Sequence, residues 1–184
     1  SFANSNLAGP VGLLFAFVWT LIARPFGAEL AAKRLTRFSW RDIVGLTQPA
    51  TLAEHRRLGV QMLDRLMQHL PRLAMTGQDT GVALRELRVA LNLLDLLAYA
   101  PRILGVPRVL LDQVVAEVGE YFKACLKAGE RLPAPSGLLM TLDRTRRALN
   151  GQGLQGEGET RLHLLHALSG LRLALLPGVE FVST

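Results

Sequence analysis

The sequence predicts an all-α protein, an antiparallel bundle of about five helices preceded by one hydrophobic, transmembrane helix. Leu and Ala dominate the composition and aromatic residues make up only 6% of it, which favours helix over sheet. Pro and Gly cluster at intervals after residue 45 and divide the rest of the chain into segments of helical length. Residues 1–23 carry no charge, so the 21 basic and 15 acidic residues all lie further along the chain. We therefore expect residues 1–23 and the rest of the chain to lie in two different solvents, lipid and water.

The uncharged segment from Leu7 to Ala23 has the composition of a membrane helix. As a helix it would be about 25 Å long, slightly short for a hydrocarbon core of about 30 Å, and Phe2–Asn6 or Phe26 would extend it. We predict that residues 1–26 form the last transmembrane helix of a longer protein. The alternative is a soluble helical regulatory or ligand-binding bundle in which the same segment packs as a core helix.

Basic residues follow this segment, with only Glu29 and Asp42 opposing them, as is typical of the cytoplasmic flank of a membrane helix. A secretory signal would carry its positive charges before the apolar run. We therefore expect residues after about position 24 to lie in the cytoplasm, with 27–44 as a membrane-exit connecting helix and 45–184 as a cytoplasmic helical bundle domain. The membrane-flanking basic residues are Arg24, Lys33, Arg34, Arg37 and Arg41.

The first two bundle helices are expected over 51–73 and 80–100. The first opens with a capping box, in which Thr51 and Glu54 each satisfy a free backbone N–H, and the second is capped by Asp79 or Thr80. The apolar face of the first is predicted to be Leu52, Met62, Leu63, Leu66, Leu70 and Leu73, with Arg57, Gln61, Asp64 and Gln68 facing water. The apolar stripe of the second is predicted to be Leu84, Leu87, Leu91 and Leu94.

Three further helices follow. The third begins with Pro107 in its first turn, the fourth spans 136–149, and the fifth spans 157–176 and is so rich in Leu that it should be central. The inward residues of the third are predicted to be Leu110, Val114, Val118, Phe122 and Cys125 or Leu126, and the outward ones Asp112, Glu117, Glu120, Lys123 and Lys127. Short connections make neighbouring helices antiparallel.

Residues able to carry chemistry are few, and each has a simpler structural explanation. Glu159, His163 and His166 could face one side of a helix as metal ligands, but a single short motif supplies no second ligand set. His55 and His69 fit partly exposed helix positions. Cys125 falls on an apolar stripe, which indicates a buried, inert thiol, and as the single cysteine it has no disulfide partner.

The sequence also lacks the motifs of common enzymes. Glu117 and Glu120 fit a solvated acidic surface, and no phosphate loop, dinucleotide fingerprint or nucleophile elbow is present. We therefore expect no enzyme activity, no cofactor and no metal. The net charge of +6 raises nucleic acid as a partner. However, Arg144, Arg146 and Arg147 have no interleaved aromatic residues and fit a solvated face, so no nucleic acid is expected.

Four strings carry a family resemblance: RPFGAELAAKRL at 24–35, SWRDI at 39–43, RELRVALNLLDL at 85–96 and LSGLRLALLPG at 168–178. Together they resemble the C-terminal portion of the fusaric acid resistance family of bacterial aromatic acid exporters. The resemblance implies an inner-membrane efflux transporter for aromatic carboxylic acids of the fusaric acid or p-hydroxybenzoate type. It implies as partners the remainder of the same chain, the lipid bilayer, a periplasmic adaptor (membrane fusion) protein and further copies in a homo-oligomer. It supplies no substrate-binding residue for this chain.

Overall fold

Six α-helices and one short 3-10 helix make up nearly all of what the computed structural model describes, namely residue 17 and residues 33–75, 80–151 and 158–176. These residues contain no strand, which confirms the predicted all-α fold. The helices are α1 (33–46), α2 (Leu52–Met75), α3 (Thr80–Tyr99), the 3-10 helix (Ala100–Arg102), α4 (Val106–Ala128), α5 (Ser136–Gly151) and α6 (Gly158–Leu175).

The hydrophobic segment predicted to cross a membrane, Leu7 to Ala23, lies outside the described residues except for Phe17. Among the helices that the structure does describe, none combines the length and the apolar character that a membrane span requires. The predicted membrane helix over 1–26 therefore stays a prediction.

The helix ends follow local sequence signals. All five predicted bundle helices are present, and each end that the sequence analysis placed lies within two residues of its expected position. The capping box of α2 is formed: the N–H of Thr51 donates to Glu54 Oε2 at 2.7 Å, and the N–H of Glu54 donates to Thr51 Oγ1 at 3.2 Å. Gly129 ends α4 in the left-handed conformation (φ 78°), and its N–H donates to the carbonyl of Cys125 at 2.8 Å.

Among the described contacts of α2 to α6, the pair of α3 with α6 is the most extensive. Helix α2 packs on α3, α5 packs on α6, and α4 packs on α5, so the contacts run in the order α2, α3, α6, α5, α4. Helix α6 is therefore interior, as its Leu content predicts, and α3 lies beside it. The inward face of α4 is also as predicted, since Leu110, Val114, Val118, Phe122 and Cys125 are all buried.

The predicted apolar face of α2 is wrong in part. Met62 and Leu66 are buried, but Leu52 and Leu63 are more than a third exposed, and the side chains of Leu70 and Leu73 lie outside the described residues. The polar face is as predicted, because Arg57, Gln61, Asp64 and Gln68 are exposed. The buried face instead includes His55 and Gly59, where α2 approaches Leu94 of α3. Gly59 lies at the contact with α3, and His55 is buried beside the carbonyl of Gln48; hydrophobicity alone detects neither position.

The predicted stripe on α3 is wrong in part, for a related reason: Leu87 is buried and Leu94 packs against the core, but the other two leucines are exposed. Leu84 and Leu91 are exposed by 41% and 45%, whereas Glu86, Val89, Ala90 and Leu93 are buried with Leu87 and Leu96. Because Leu occurs on every side of this helix, several apolar stripes fit the sequence equally well. Because α3 packs against both α2 and α6, the stripe that becomes buried is the one that contains the small residue Ala90 and the charged residue Glu86.

Helix α1 shares the same core. Leu35, Trp40, Ile43 and Leu46 are buried in one cluster with side chains of α2 to α6. The core therefore contains side chains on both sides of residue 45. The boundary predicted there between a connecting helix and a bundle domain stays a prediction.

A glycine allows the end of α1 to approach α4. A β-carbon at Gly119 would lie 2.4 Å from Thr47 Oγ1 and 3.0 Å from Thr47 Cβ. Thr47 has little freedom to withdraw, because its hydroxyl donates to the carbonyl of Val44 at 2.8 Å and its side chain is branched at the β-carbon. The contact thus requires the residue at 119 to lack a side chain.

We expect Gly119→Ala to lower the free energy of unfolding by about 1–3 kcal/mol, because the added methyl overpacks the contact with Thr47. Gly137→Ala is the matched control, since a β-carbon there would meet nothing within 4 Å. It should leave stability unchanged or raise it slightly through helix propensity. Urea unfolding of the chain followed by circular dichroism measures both. Equal stability of the two variants would contradict the close packing at Gly119.

Candidate functional site

The exposed face of helix α1 carries four of the five basic residues that the sequence places beside a membrane. Lys33, Arg34, Arg37 and Arg41 are all exposed, while Arg24 lies outside the described residues. At about 3.6 residues per turn, the four positions fall within an arc of about 100° around the helix. We call this arc, together with Phe38 beside it, the basic face. The opposite side of α1 is buried and carries Leu35, Ser39, Ile43 and Leu46.

An aromatic side chain lies among these cations. Phe38 is 43% exposed, and the guanidinium carbons of Arg41 and Arg65 lie 5.7 Å and 5.3 Å from its ring centroid. Asp42, the single acidic residue in the sequence from 33 to 46, is paired with Arg65, with Nη1 2.5 Å from Oδ2. The carboxylate of Asp42 is therefore engaged by Arg65 rather than by a cation of the basic face.

Arg37 also connects the basic face to the end of α4. A β-carbon at Gly129 would lie only 2.9 Å from Arg37 Nη2, so the guanidinium packs directly on this turn. The C-terminal end of a helix carries partial negative charge, which favours a cation at that position. Helix α1 is thereby held against the turn from which the connection to α5 begins.

A buried ion pair joins α3 to that connection. Arg131 Nη1 donates to Glu86 Oε1, and Arg131 Nη2 donates to the carbonyl of Ala174 near the end of α6 at 2.8 Å. The side chain of Glu86 is fully buried and that of Arg131 is 16% exposed. A single guanidinium thus holds α3, α6 and the connection between α4 and α5 together.

The second carboxylate oxygen of Glu86 has no hydrogen-bond partner in the described structure, and neither does Trp40 Nε1 of α1. The indole N–H is close enough to help lower the pKa of Glu86, but it does not reach hydrogen-bonding geometry. Burial is the largest effect on this group and raises the pKa of Glu86, while the charge of Arg131 opposes it. The carboxyl group therefore holds a proton more tightly in the folded chain than in water.

The residues after Arg131 are fixed by polar contacts to α4. The hydroxyl of Tyr121 donates to the carbonyl of Leu132 at 2.6 Å, and the N–H of Leu132 lies 3.4 Å from Cys125 Sγ. Burial raises the pKa of Tyr121 to about 12, so this hydroxyl remains a donor at physiological pH. Cys125 is buried as the sequence predicts, and its sulfur accepts this weak hydrogen bond.

The histidine candidates do not assemble a metal site. Glu159 Oε1 lies 3.8 Å from His163 Nε2, but the His163 ring stacks on Tyr99 with 4.3 Å between centroids, and His166 is exposed. No group of three His, Cys, Asp or Glu side chains within the described ranges could hold a metal ion. His69 is half-buried, in keeping with a partly exposed helix position. The prediction for His55 is wrong, since it is buried and its Nε2 lies 3.0 Å from the carbonyl of Gln48.

The two glutamates of α4, Glu117 and Glu120, lie in different environments. Glu120 is exposed and pairs with Lys123 at 2.7 Å, as a solvated surface predicts. Glu117 contradicts that prediction: it is half-buried and accepts from Gln113 at 2.8 Å and from Thr141 of α5 at 3.0 Å. It therefore helps to join α4 to α5. Arg144, Arg146 and Arg147 are exposed as predicted.

Sequence reasoning missed Glu86 and Arg131. Glu86 lies three, four and seven residues before Val89, Ala90 and Leu93, which is the spacing of one helical face. A single carboxylate on such a face was the available signal, but it could be recognised only once the correct stripe on α3 was known. Arg131 lies between helices, where periodicity carries no information.

A sequence model of the fusaric acid resistance protein family matches residues 1–182, nearly the whole chain. The match confirms the resemblance carried by the four strings from residue 24 to residue 178. No curated protein and no solved structure matches the chain.

We expect Arg131→Ala to lower the free energy of unfolding by about 3–5 kcal/mol, because it leaves the buried carboxyl of Glu86 without its partner. Arg108→Ala is the matched control, since it removes an exposed pair with Asp112 on the surface of α4. That change should have an effect of about 0–1 kcal/mol. Urea unfolding of both variants gives the two values. Similar losses would mean that Arg131 contributes no more than a surface arginine.

The raised pKa of Glu86 makes its contribution depend on pH. Above its ordinary pKa of 4.5, the folded chain binds the Glu86 proton more tightly than the unfolded chain does. The free energy of unfolding should therefore fall as the pH rises from 4.5 through the pKa that Glu86 has in the folded chain. The variant Glu86→Gln cannot lose this proton and should not show the decline. The measurement is the stability difference between the parent and Glu86→Gln from about pH 4 to about pH 8. Glu120→Gln, on the surface of α4, is the control. If the parent became more stable relative to Glu86→Gln as the pH rises, the raised pKa of Glu86 would be contradicted.

Proposed function

Since the chain belongs to the fusaric acid resistance protein family, we propose that it is the C-terminal cytoplasmic region of a bacterial inner-membrane efflux transporter for aromatic carboxylic acids. Family membership assigns it, in coarser terms, to a membrane transport protein that acts in efflux. The exported compounds are acids of the fusaric acid or p-hydroxybenzoate type. The helical bundle serves assembly, regulation or substrate access rather than catalysis, and it acts without a cofactor.

The single observation that carries the cytoplasmic orientation is the basic face of α1. Its four cations lie within nine residues and follow a segment that is free of charge in the sequence. Cytoplasmic loops next to membrane helices carry an excess of Lys and Arg, because positive charge resists translocation. The proposed partners are the rest of the transporter chain, the bilayer, a periplasmic adaptor protein and further copies of the chain.

The proposed location is tested by Lys127→Cys in the full transporter, because Lys127 is exposed on α4 and Cys125 is buried. We expect a membrane-impermeant maleimide to label this cysteine in inside-out vesicles and to leave it unlabelled in intact spheroplasts. The parent, which retains only the buried Cys125 in this region, is the control for background labelling. Labelling in intact spheroplasts would contradict the cytoplasmic orientation.

Export is tested in the same strain by deleting the transporter gene and restoring it on a plasmid. The deletion should sensitise cells to p-hydroxybenzoate and fusaric acid, while sensitivity to an aliphatic acid such as hexanoate stays the same. Equal sensitisation to both kinds of acid would contradict the proposed substrate class.

A further inference from the structure

We propose that the basic face of α1 rests on anionic phospholipid headgroups and holds the helical bundle against the membrane surface. The proposal rests on the proposed function, since it requires the bundle to lie beside a bilayer. It adds a specific contact surface, namely Lys33, Arg34, Arg37 and Arg41 with Phe38, and a specific occupant.

The first argument is charge. The four cations share one exposed arc, and the carboxylate of the nearby Asp42 is paired with Arg65 of α2. Anionic lipids give the cytoplasmic leaflet a negative potential that attracts basic residues within about a Debye length, about 8 Å at physiological salt. A surface with this charge is therefore drawn to phosphate-bearing headgroups rather than to bulk water.

The arginines of α5 provide a contrast within the same molecule. Asp143 lies among them, within 3.7 Å of Arg146, and its carboxylate also binds Arg172 of α6 at 2.9 Å and 3.1 Å. The backbone carbonyl of Asp143 accepts a hydrogen bond from Arg147 at 3.3 Å. That patch is partly neutralised and tied to its own helix bundle. On α1, by contrast, the carboxylate that lies within residues 33–46, that of Asp42, is paired with Arg65 of α2 rather than with a cation of the basic face.

The second argument is the exposed aromatic ring. Phe38 keeps 43% of its surface exposed although it lies on a helix whose other large apolar side chains are buried. Amphipathic helices that bind membrane surfaces combine cations with an aromatic or aliphatic side chain that enters the headgroup region. Arg41 and Arg65 lie over the ring and keep it at the level of the charges.

The third argument is rigidity. The opposite side of α1 is fixed in the core by Trp40, Ile43 and Leu46, and Arg37 packs on Gly129. The cations are therefore presented by a folded helix, and binding to lipid orders only the tips of their side chains. Preorganised groups lose less entropy on binding than groups on a disordered tail.

The test uses the full transporter reconstituted into vesicles of phosphatidylcholine with or without phosphatidylglycerol. Phe38→Cys carries an environment-sensitive fluorophore, and lipids with a doxyl group near the headgroup act as quenchers. Met140→Cys on α5, an exposed apolar position, is the matched control. We expect strong quenching at position 38 in vesicles that contain phosphatidylglycerol, weaker quenching in pure phosphatidylcholine, and little quenching at position 140.

Charge removal identifies the groups responsible. Replacing Lys33, Arg34, Arg37 and Arg41 by Gln should lower the quenching at position 38 by roughly half or more, because each basic side chain near an anionic surface adds about fivefold to association. The control variant replaces Arg57, Lys127, Arg144 and Arg147 by Gln, which makes the same change in net charge on other exposed helix surfaces. It should retain the quenching.

Three results would overturn the proposal: equal quenching at positions 38 and 140, quenching independent of phosphatidylglycerol, or displacement of the helix by excess inorganic phosphate alone, which would identify a site for a free anion. These results are separable from failure of the proposed function. Cytoplasmic labelling at position 127 without quenching at position 38 would remove only the lipid contact. Labelling of position 127 in intact spheroplasts, or export unaffected by deletion, would remove the proposed function.

Discussion

The ion pair between Glu86 and Arg131 is the interaction on which the arrangement of the bundle depends. Arg131 belongs to no helix, yet its guanidinium reaches a carboxylate on α3 and a backbone carbonyl near the end of α6. Of the contacts among α2 to α6 that the structure describes, the one between these two helices is the most extensive. A charged pair inside an apolar core is stable only when both members are held in register, because either one alone is strongly disfavoured there. The ion pair therefore favours one arrangement in which α4 and α5 pack beside α3 and α6.

Other polar contacts fix the same region from the α4 side. Tyr121 and Cys125 engage the two polar groups of the Leu132 backbone, and Gly129 turns the chain out of the helix. The connection between α4 and α5 is thus defined by hydrogen bonds at Gly129, Arg131 and Leu132 rather than by length alone. Leu-rich helices can slide or rotate against one another at little energetic cost, so specific polar contacts of this kind give such a core a single arrangement.

The sequence was sufficient for helix existence and ends, because these depend on local chemistry. Thr51 with Glu54 starts α2, Pro107 lies in the first turn of α4, and Gly129 stops it. The faces of α2 and α3 could not be predicted in the same way. Where leucines surround a helix, the buried side is chosen by tertiary partners such as Gly59 against Leu94, and those partners are distant in sequence. For the candidate site, the basic residues of α1 were visible as a charge cluster, whereas Glu86 and Arg131 are 45 residues apart and were joined only by the fold.

The contact between Arg37 and Gly129 has a mechanical consequence. Arg37 belongs to the outward-facing surface of α1, and Gly129 is two residues before the arginine that closes the core. Because Arg37 packs on Gly129, a shift of α1 would also displace this turn and, with it, the arginine that binds the buried carboxyl of Glu86. An exposed surface of the protein and a fully buried carboxyl group are thus connected through only three consecutive residues, 129–131.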